Sequence, residues 1–433
     1  MQESSPTVSE NGTTSARVLA SIDSKIHKVP LLLNETCICR VPRLLRKVKE
    51  EAYTPQVVSI GPYHHGTERL EAMEDHKLRY VSDFFYRESE NSREDFVVSL
   101  IGLEKTARDC YEQPFPYESD EFVEMMLIDG CFILELILKC AEYVQEVVAM
   151  DPLFRTLSML SSISSDMLLL ENQLPFFILE TLFNLFIAPN KNFVGFSFLD
   201  LIQHFFSFKI QLNIVQDVPR EKINGEKTKH FLDLLRDFCI PSMQTQRVPT
   251  ESIKVIPSAT ELHMAGVKFI KATGSGLLAI KFTTNGIFEI PVMAVQESTE
   301  ILFRNLIAFE QCFQPVSEQY ISLYVFLMDL LLNSPDDVAT LRSFGIIDNM
   351  LDNEQVSHIF NNISKGNTIV SNTPFYYKIC KDVNEYYNRP WNSFKAMLFR
   401  EYFYSPWSSA SSIAVITVVI CTILQTVSSM MSI

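Results

Sequence analysis

Residues 124–144 read EMMLIDGCFILELILKCAEYV, an almost unbroken apolar stretch interrupted by isolated charges. Both ends of the surrounding segment, Phe122–Val148, are too polar for a lipid bilayer. The run therefore predicts a central helix wrapped by other helices. A second run, DMLLLENQLPFFILETLFNLF at Asp166–Phe186, has the same texture, and Pro175 marks a kink or a fresh helix start. The polar residues inside these runs are Asp129 and Glu135 in the first, and Glu171, Asn172 and Gln173 in the second. A buried carboxylate is costly unless it is paired or hydrogen-bonded. These five side chains are therefore expected to form a structural polar network that caps and registers the central helices. Paired carboxylates also allow a membrane-bound hydrolase, although sequence spacing gives no sign of the separation such chemistry requires.

Working outward, Leu70, Met73, Tyr80, Val81 and Phe84 recur at helical spacing between Glu68 and Arg87, with acidic and basic residues filling much of the remainder. Further helices are expected at Glu300–Gln311, Tyr320–Leu332, Pro335–Phe344 and Glu354–Ile363. The period changes at Leu278–Val295, LAIKFTTNGIFEIPVMAV, where Asn285-Gly286 between two β-rich runs predicts one small hairpin with a type I′ turn. Residues 208–250 are more polar and read as a variable, mobile connection. Residues 1–24 are rich in Ser, Thr and Glu without a signal-peptide core, and read as a disordered tail. The fold class is mainly α: a large helical body over residues 25–404 with one β-hairpin, followed by a transmembrane helix at residues 408–430.

That last assignment rests on Tyr402–Ile433, 32 residues without Asp, Glu, Lys or Arg. Its apolar heart is IAVITVVICTIL, which includes Ile413, Val415, Val418, Ile420 and Leu424. A helix from Ala410 to Met430 would be about 31 Å long, enough for a hydrocarbon core. Thr hydroxyls can bond back to helix carbonyls and are tolerated there. Tyr402, Phe403, Tyr404 and Trp407 precede the span where an aromatic belt would sit. The competing reading is a buried core helix. Lys395 and Arg400 lie on the N-terminal side and nothing charged follows. The expectation is a tail anchor, with the plasma membrane as the candidate membrane, the body in the cytosol and an extracellular body as the alternative.

The chain has 433 residues and a net charge of -15, a balance that disfavours nucleic acid as a partner. The one dense basic run, RVPRLLRKVK at Arg40–Lys49, reads as a helix with a solvated basic face, or alternatively as a contact with anionic lipid. The nine Cys include no CxxC pair, and Cys37-Ile38-Cys39 fits neither zinc nor redox spacing, so reduced structural thiols are expected. His64, His65, His76, Glu71, Glu74 and Asp75 form the most metal-like group, yet lack HExxH or similar spacing. Thr273–Gly276 is a Gly-rich turn without the lysine of a phosphate loop. Sequons at Asn11, Asn34 and Asn362 are no more than chance supplies. These residues give no catalytic, cofactor or metal assignment. The expected partners are membrane lipid and an unidentified protein.

Taken in order, the motifs resemble a plant family called domain of unknown function 247. They are IHKVP at Ile26–Pro30, CRVPRLLR at Cys39–Arg46, YTPQVVSIGPYHHG at Tyr53–Gly66 and LEAMEDHKLRY at Leu70–Tyr80. MLIDGCFILELI, DMLLLENQLPFFILE, ATELHMAGVKF from Ala259, NLIAFEQC ending at Cys312 and MDLLLNSPDDVATLRSFGII follow, then YFYSPW before the hydrophobic tail. The resemblance implies a plant protein with a long helical body and a C-terminal span. Some grass members are associated with pollen–stigma self-incompatibility, which suggests a recognition role, as cell-surface ligand or receptor or otherwise. The family brings no agreed catalytic residues.

Overall fold

The computed structural model describes residues 8–26, 35–87, 92–141, 151–187, 197–210, 228–240, 255–272, 276–365, 374–402 and 406–431. The N-terminal half contains α1 (Val8–Ile26), α2 (Arg43–Val48), α3 (Glu74–Tyr86), α4 (Arg93–Asp109) and α5 (Ser119–Ala141). After these come α6 (Pro152–Arg155), α7 (Leu157–Asp166), α8 (Phe176–Ile187), α9 (Phe198–Ile210), α10 (Phe231–Cys239) and α11 (Ala259–Met264). Strands β1 (Lys268–Lys271), β2 (Lys281–Phe282), β3 (Ile287–Ile290) and β4 (Met293–Val295) precede α12 (Glu297–Phe313), α13 (Tyr320–Leu331) and α14 (Pro335–Ser343). Then come β5 (Ile347–Asn349), α15 (Asn353–Ile363), α16 (Pro374–Tyr387), α17 (Pro390–Tyr402) and α18 (Pro406–Met431).

Local chemistry sets several helix starts. At Ser92, Ser258, Ser334 and Asp352 the side chain accepts from the backbone N–H three residues on, and an Asp, Glu or Gln there reaches back to the cap. Pro335 follows Ser334 at the first helical position, where its missing N–H costs nothing. Two helices then organise the body. Helix α5 is buried on nearly every side from Phe122 to Cys140 and is packed by α3, α4, α8 and α9. Helix α12 plays the same part in the second half, against α7, α10, α13 and α15. One continuous apolar core runs from Cys37 to Val383.

The architecture is mainly helical, and it departs from the sequence reading in four places. The run at Asp166–Phe186 has its fresh helix start just after Pro175, as one of the two readings of that proline has it, but the part before it is not helical. Helix α7 ends at Asp166, residues 167–175 are irregular yet buried, and α8 begins after Pro175. Proline disfavours helix at Leu174, and before it the carbonyls of Asp166, Met167 and Leu169 are taken by side-chain amides. Within 208–250, residues 211–227 and 241–250 lie outside the described residues, but α10 between them is a core helix. Its Phe231, Leu232, Leu234, Leu235 and Phe238 are all buried. Residues 8–24 of the expected disordered tail are helical as part of α1, with Val18, Ile22 and Ile26 at helical spacing on an exposed face.

The expected hairpin is present but belongs to a larger sheet. β2 pairs antiparallel with β3, and β1 adds a parallel neighbour with Phe269 opposite Phe288. A second, parallel pair joins β4 to β5. The turn also sits one residue earlier than a type I′ turn on Asn285-Gly286. Gly286 N–H donates to Thr283 O at 2.9 Å and Thr283 N–H to Ile287 O, giving a three-residue loop that ends with Gly286 at φ +81°.

Gly286 also lies under the Tyr386 ring of α16, where an added Cβ would fall 2.4 Å from Cζ. Gly286→Ala is expected to cost about 2–3 kcal/mol, combining left-handed strain with displacement of that ring. Urea unfolding of the Gly286→Ala, Tyr386→Ala and double variants should show less-than-additive losses, because removing the ring relieves the clash. Strict additivity would refute this packing.

Candidate functional site

The irregular segment at residues 167–175 is where the predicted polar residues gather. A buried stretch without helix or sheet must satisfy its backbone groups by other means, and here side-chain amides do so. Gln173 Nε2 donates to Met167 O at 2.8 Å and Leu169 O at 2.9 Å. Asn172 Nδ2 donates to Val58 O and Asp166 O, and its Oδ1 accepts from Ile60 N–H at 2.7 Å. Asn305, from α12, accepts from Leu170 N–H at 3.0 Å and donates to Ala52 O at 2.8 Å. Residues 35–63 thus form a strap stitched to this segment.

Glu171 is the charged centre. Its side chain is wholly buried, and Oε1 accepts from Val41 N–H at 2.6 Å and from Arg46, while Oε2 accepts from Arg40 at 2.9 Å. His64 Nε2 stands 3.6 Å from Oε2, within electrostatic reach but beyond a good hydrogen bond. Burial works to raise the Glu171 carboxyl. His64, the Val41 N–H, Arg46 and Arg40 outweigh it and hold the group at about 2. Asp166 shows the opposite balance: burial lifts it to about 6, although Gln56, Val57 and Val58 each donate a backbone N–H to it.

Asp129 sits on the other side of the strap. It accepts from Gly61 N–H at 2.8 Å and pairs with the buried Lys77 ammonium at 2.6 Å. Gly61 has φ +71°, and a Cβ there would meet Gln173 O at 2.7 Å, so strap and loop approach as closely as backbones allow. Four of the five predicted residues therefore converge on residues 58–63 and their surroundings. Glu135 does not. It forms a separate bidentate pair with Arg87, at 2.6 and 2.9 Å, and burial raises it to about 7.

Several participants escaped the sequence reading. Lys77, not singled out in the sequence, is a wholly buried residue of α3. Arg40, Arg46 and Lys49 belong to the run read as a solvated basic face, yet all three turn to carboxylates, Lys49 reaching Glu300 at 2.7 Å. The only cue was composition: isolated carboxylates inside apolar runs need cations from somewhere. His230 accepts from Asp233 N–H through Nδ1, which leaves Nε2–H to donate to Cys37 O at 3.1 Å. Burial lowers His230 to about 4, keeping it neutral. Arg236 and Glu310 pair beneath α13, whose Ile321 and Ser322 N–H groups complete the Glu310 shell.

The histidines of the metal-like group diverge, His64 towards Glu171 and His65 edge-on to Tyr117. Among the described residues no group of three or more His, Cys, Asp and Glu is placed to hold a metal ion. An open cleft of about 540 Å³ lies between Lys49, Glu297, Glu300, Asp352, Glu354 and His358. Its rim is acidic, and Glu300 is already engaged by Lys49 and Arg304. Thr273, Gly274 and Ser275 lie outside the described residues, as do Asn34, Phe403 and Tyr404.

At the C-terminus, Ala410–Met431 of α18 is long and apolar enough to cross a membrane, and none of it is buried. Ile413, Val415, Val418, Ile420 and Leu424 are each 51–65% exposed, which removes the alternative of a buried core helix. Thr417, Thr422 and Thr426 turn their hydroxyls back to the carbonyls four residues earlier, each at 2.8 Å.

These features define a helical protein with a polar-stapled body and one exposed apolar helix after it. The chain belongs to the plant family DUF247, whose sequence model, described as "Plant protein of unknown function", matches residues 38–421. It is 32% identical to the UPF0481 protein At3g47200 of Arabidopsis thaliana, across 94% of this chain and 90% of that protein. It is 23% identical to the putative UPF0481 protein At3g02645 of the same plant, across 94% and 93%. No solved structure matches the chain.

Glu171→Ala is expected to destabilise the body by about 3 kcal/mol. That is the lower end for breaking a buried ion pair, because Arg40 and Arg46 keep some access to water. Glu171→Gln isolates the charge. A carboxylate held at about 2, against its ordinary 4.5, contributes stability that is complete above about pH 4.5 and lost as pH falls towards 2. Urea midpoints measured from pH 6 to pH 3 should therefore fall less steeply in Glu171→Gln than in the parent. Parallel curves would show that the carboxylate is not held by these partners.

Proposed function

We propose that this protein is a membrane-anchored, non-enzymatic interaction component. In this reading α18 spans the bilayer and the helical body presents a surface to a protein partner. The observation that carries it is α18 itself, apolar all round, with no buried residue and no charge from Tyr402 onward. A water-soluble body leaves so much apolar surface open only where something else covers it. Exposed Trp391, Phe394 and Met397 on α17 lie shortly before the span, where interfacial aromatics are favoured. Lys395 and Arg400 support a cytosolic body.

The non-enzymatic part rests on the carboxylates. Glu171, the best candidate for hydrolytic chemistry, gives its oxygens to Arg40, Arg46 and a backbone N–H, with no exposed atom. Glu310 is likewise fully committed to Arg236, Ile321 and Ser322. These groups act as staples. Plasma membrane is the membrane we favour, by the family's link to recognition between cells.

Sealed vesicles of known orientation provide the test. After alkaline carbonate washing, the full chain should stay in the pellet and a variant lacking 410–431 should move to the supernatant. An N-terminal tag should be digested from the cytosolic face. Affinity capture from detergent-solubilised plant membranes should recover a reproducible protein partner. Extraction of the full chain by carbonate would remove the anchor from this reading, and repeated failure of capture across tissues would remove the partner.

A further inference from the structure

Cys37 and Cys110 lie 73 positions apart in sequence and meet in the body. The strap runs parallel to the chain leaving α4, with Ile38 bridged to Tyr111. Cys37 N–H and Ile38 N–H both donate to Cys110 O at 2.9 Å, and Glu112 N–H donates to Ile38 O at 2.9 Å. Cys37 and Cys110 are thus neighbours one step from the bridge and are themselves hydrogen-bonded. Neighbouring strands stand about 4.8 Å apart, inside the roughly 4.4–6.8 Å that a disulfide requires between Cα atoms. The position is held from the other side too, since Cys37 O accepts from His230. Both residues are buried, at 2% and 6% exposure.

We propose that Cys37 and Cys110 are a pre-registered dithiol that closes into a disulfide by exchange with a small-molecule disulfide such as oxidised glutathione. The two thiols interact directly. Their contact raises the Cys37 thiol, with burial adding to it, and lowers that of Cys110. Cys110, the less deeply buried of the two, attacks first, its thiol giving up the proton it donates to Thr106 O. When local opening of the strap exposes it, its sulfur displaces one glutathione thiolate and forms a mixed disulfide. Cys37 then loses its proton and attacks the Cys110 sulfur, releasing the second glutathione. Two Cys thiols and one oxidised glutathione become one protein disulfide and two reduced glutathiones. The bond would pin the strap to the end of α4 just before Arg40 and Val41, the residues that hold Glu171. Its state depends on which side of the membrane the body faces, because a reducing cytosol keeps the pair open and an oxidising compartment closes it.

The test uses purified full-length protein in detergent, equilibrated with oxidised or reduced glutathione, quenched by alkylation and digested without reduction. In oxidised buffer the peptide carrying Cys37 and Cys39 should appear linked to the one carrying Cys110, and the link should vanish in reduced buffer. Fragment masses assign the bond to Cys37, with Cys39→Ser keeping the link and Cys37→Ser losing it. Alkylation of Cys37 and Cys110 after oxidised treatment, or a link made through Cys39 in place of Cys37, would overturn the proposal. The wild-type result alone decides, so a variant that fails to fold leaves the test intact.

Discussion

The body depends on one constraint, the burial of a carboxylate in a stretch of chain that is neither helix nor strand. Glu171 lies between α7 and α8, where the backbone cannot satisfy itself. An ionised group there is tolerated only with full compensation. Two arginines and a backbone N–H from the strap provide it, while Asn172, Gln173, Asp166 and Asn305 satisfy the neighbouring backbone. These bonds reach across the molecule, because Asn305 belongs to α12 and Asp129, which holds Gly61, belongs to α5. The two buried helices around which the halves pack are therefore joined through this loop and the strap, by polar groups as well as by apolar contact.

Much of this was legible in the sequence, and what was not has definite causes. Apolar texture located α12, α13, α14 and α15 to within a few residues, and the start of α5 as well. The polar residues inside apolar runs pointed to Glu171, Asn172, Gln173 and Asp129 as a group. Their partners could not be read, because Arg40 and Lys77 lie 131 and 52 positions away from the carboxylates they meet. The loss of helix after Asp166 was hidden because a buried irregular segment and a buried helix show the same apolar texture. Helix α10 was missed for the opposite reason: FLDLLRDFC is strongly amphipathic but sits between polar stretches that dilute it. Strands of two to four residues, such as β1 and β5, carry too few positions for alternation to show.

Charge illustrates how a composition-level reading can mislead about location. The run Arg40–Lys49 holds five of the chain's 37 basic residues, and its density reads as a solvated basic face, or alternatively as a contact with anionic lipid. In the fold Arg40, Arg46 and Lys49 face carboxylates, leaving Arg43 and Lys47 exposed. Two exposed cations supply little attraction to an anionic surface. The proposed attachment to a bilayer would therefore rest on the C-terminal helix, and the basic run is better understood as the counter-charge of the buried acids.

The geometry near the C-terminus bears on how such an anchor would hold the body. Tyr386 of α16 packs on Phe282 and donates its hydroxyl to Gly266 O, and Asn384 donates to Val255 O. Helix α17 in turn packs on α11. The last helices before the span are thus part of the body. Three residues separate Tyr402 from Pro406, and three residues reach about 10 Å at full extension. With α18 in a bilayer, so short a connection would hold the C-terminal end of α17, at Tyr402, close to the headgroup level.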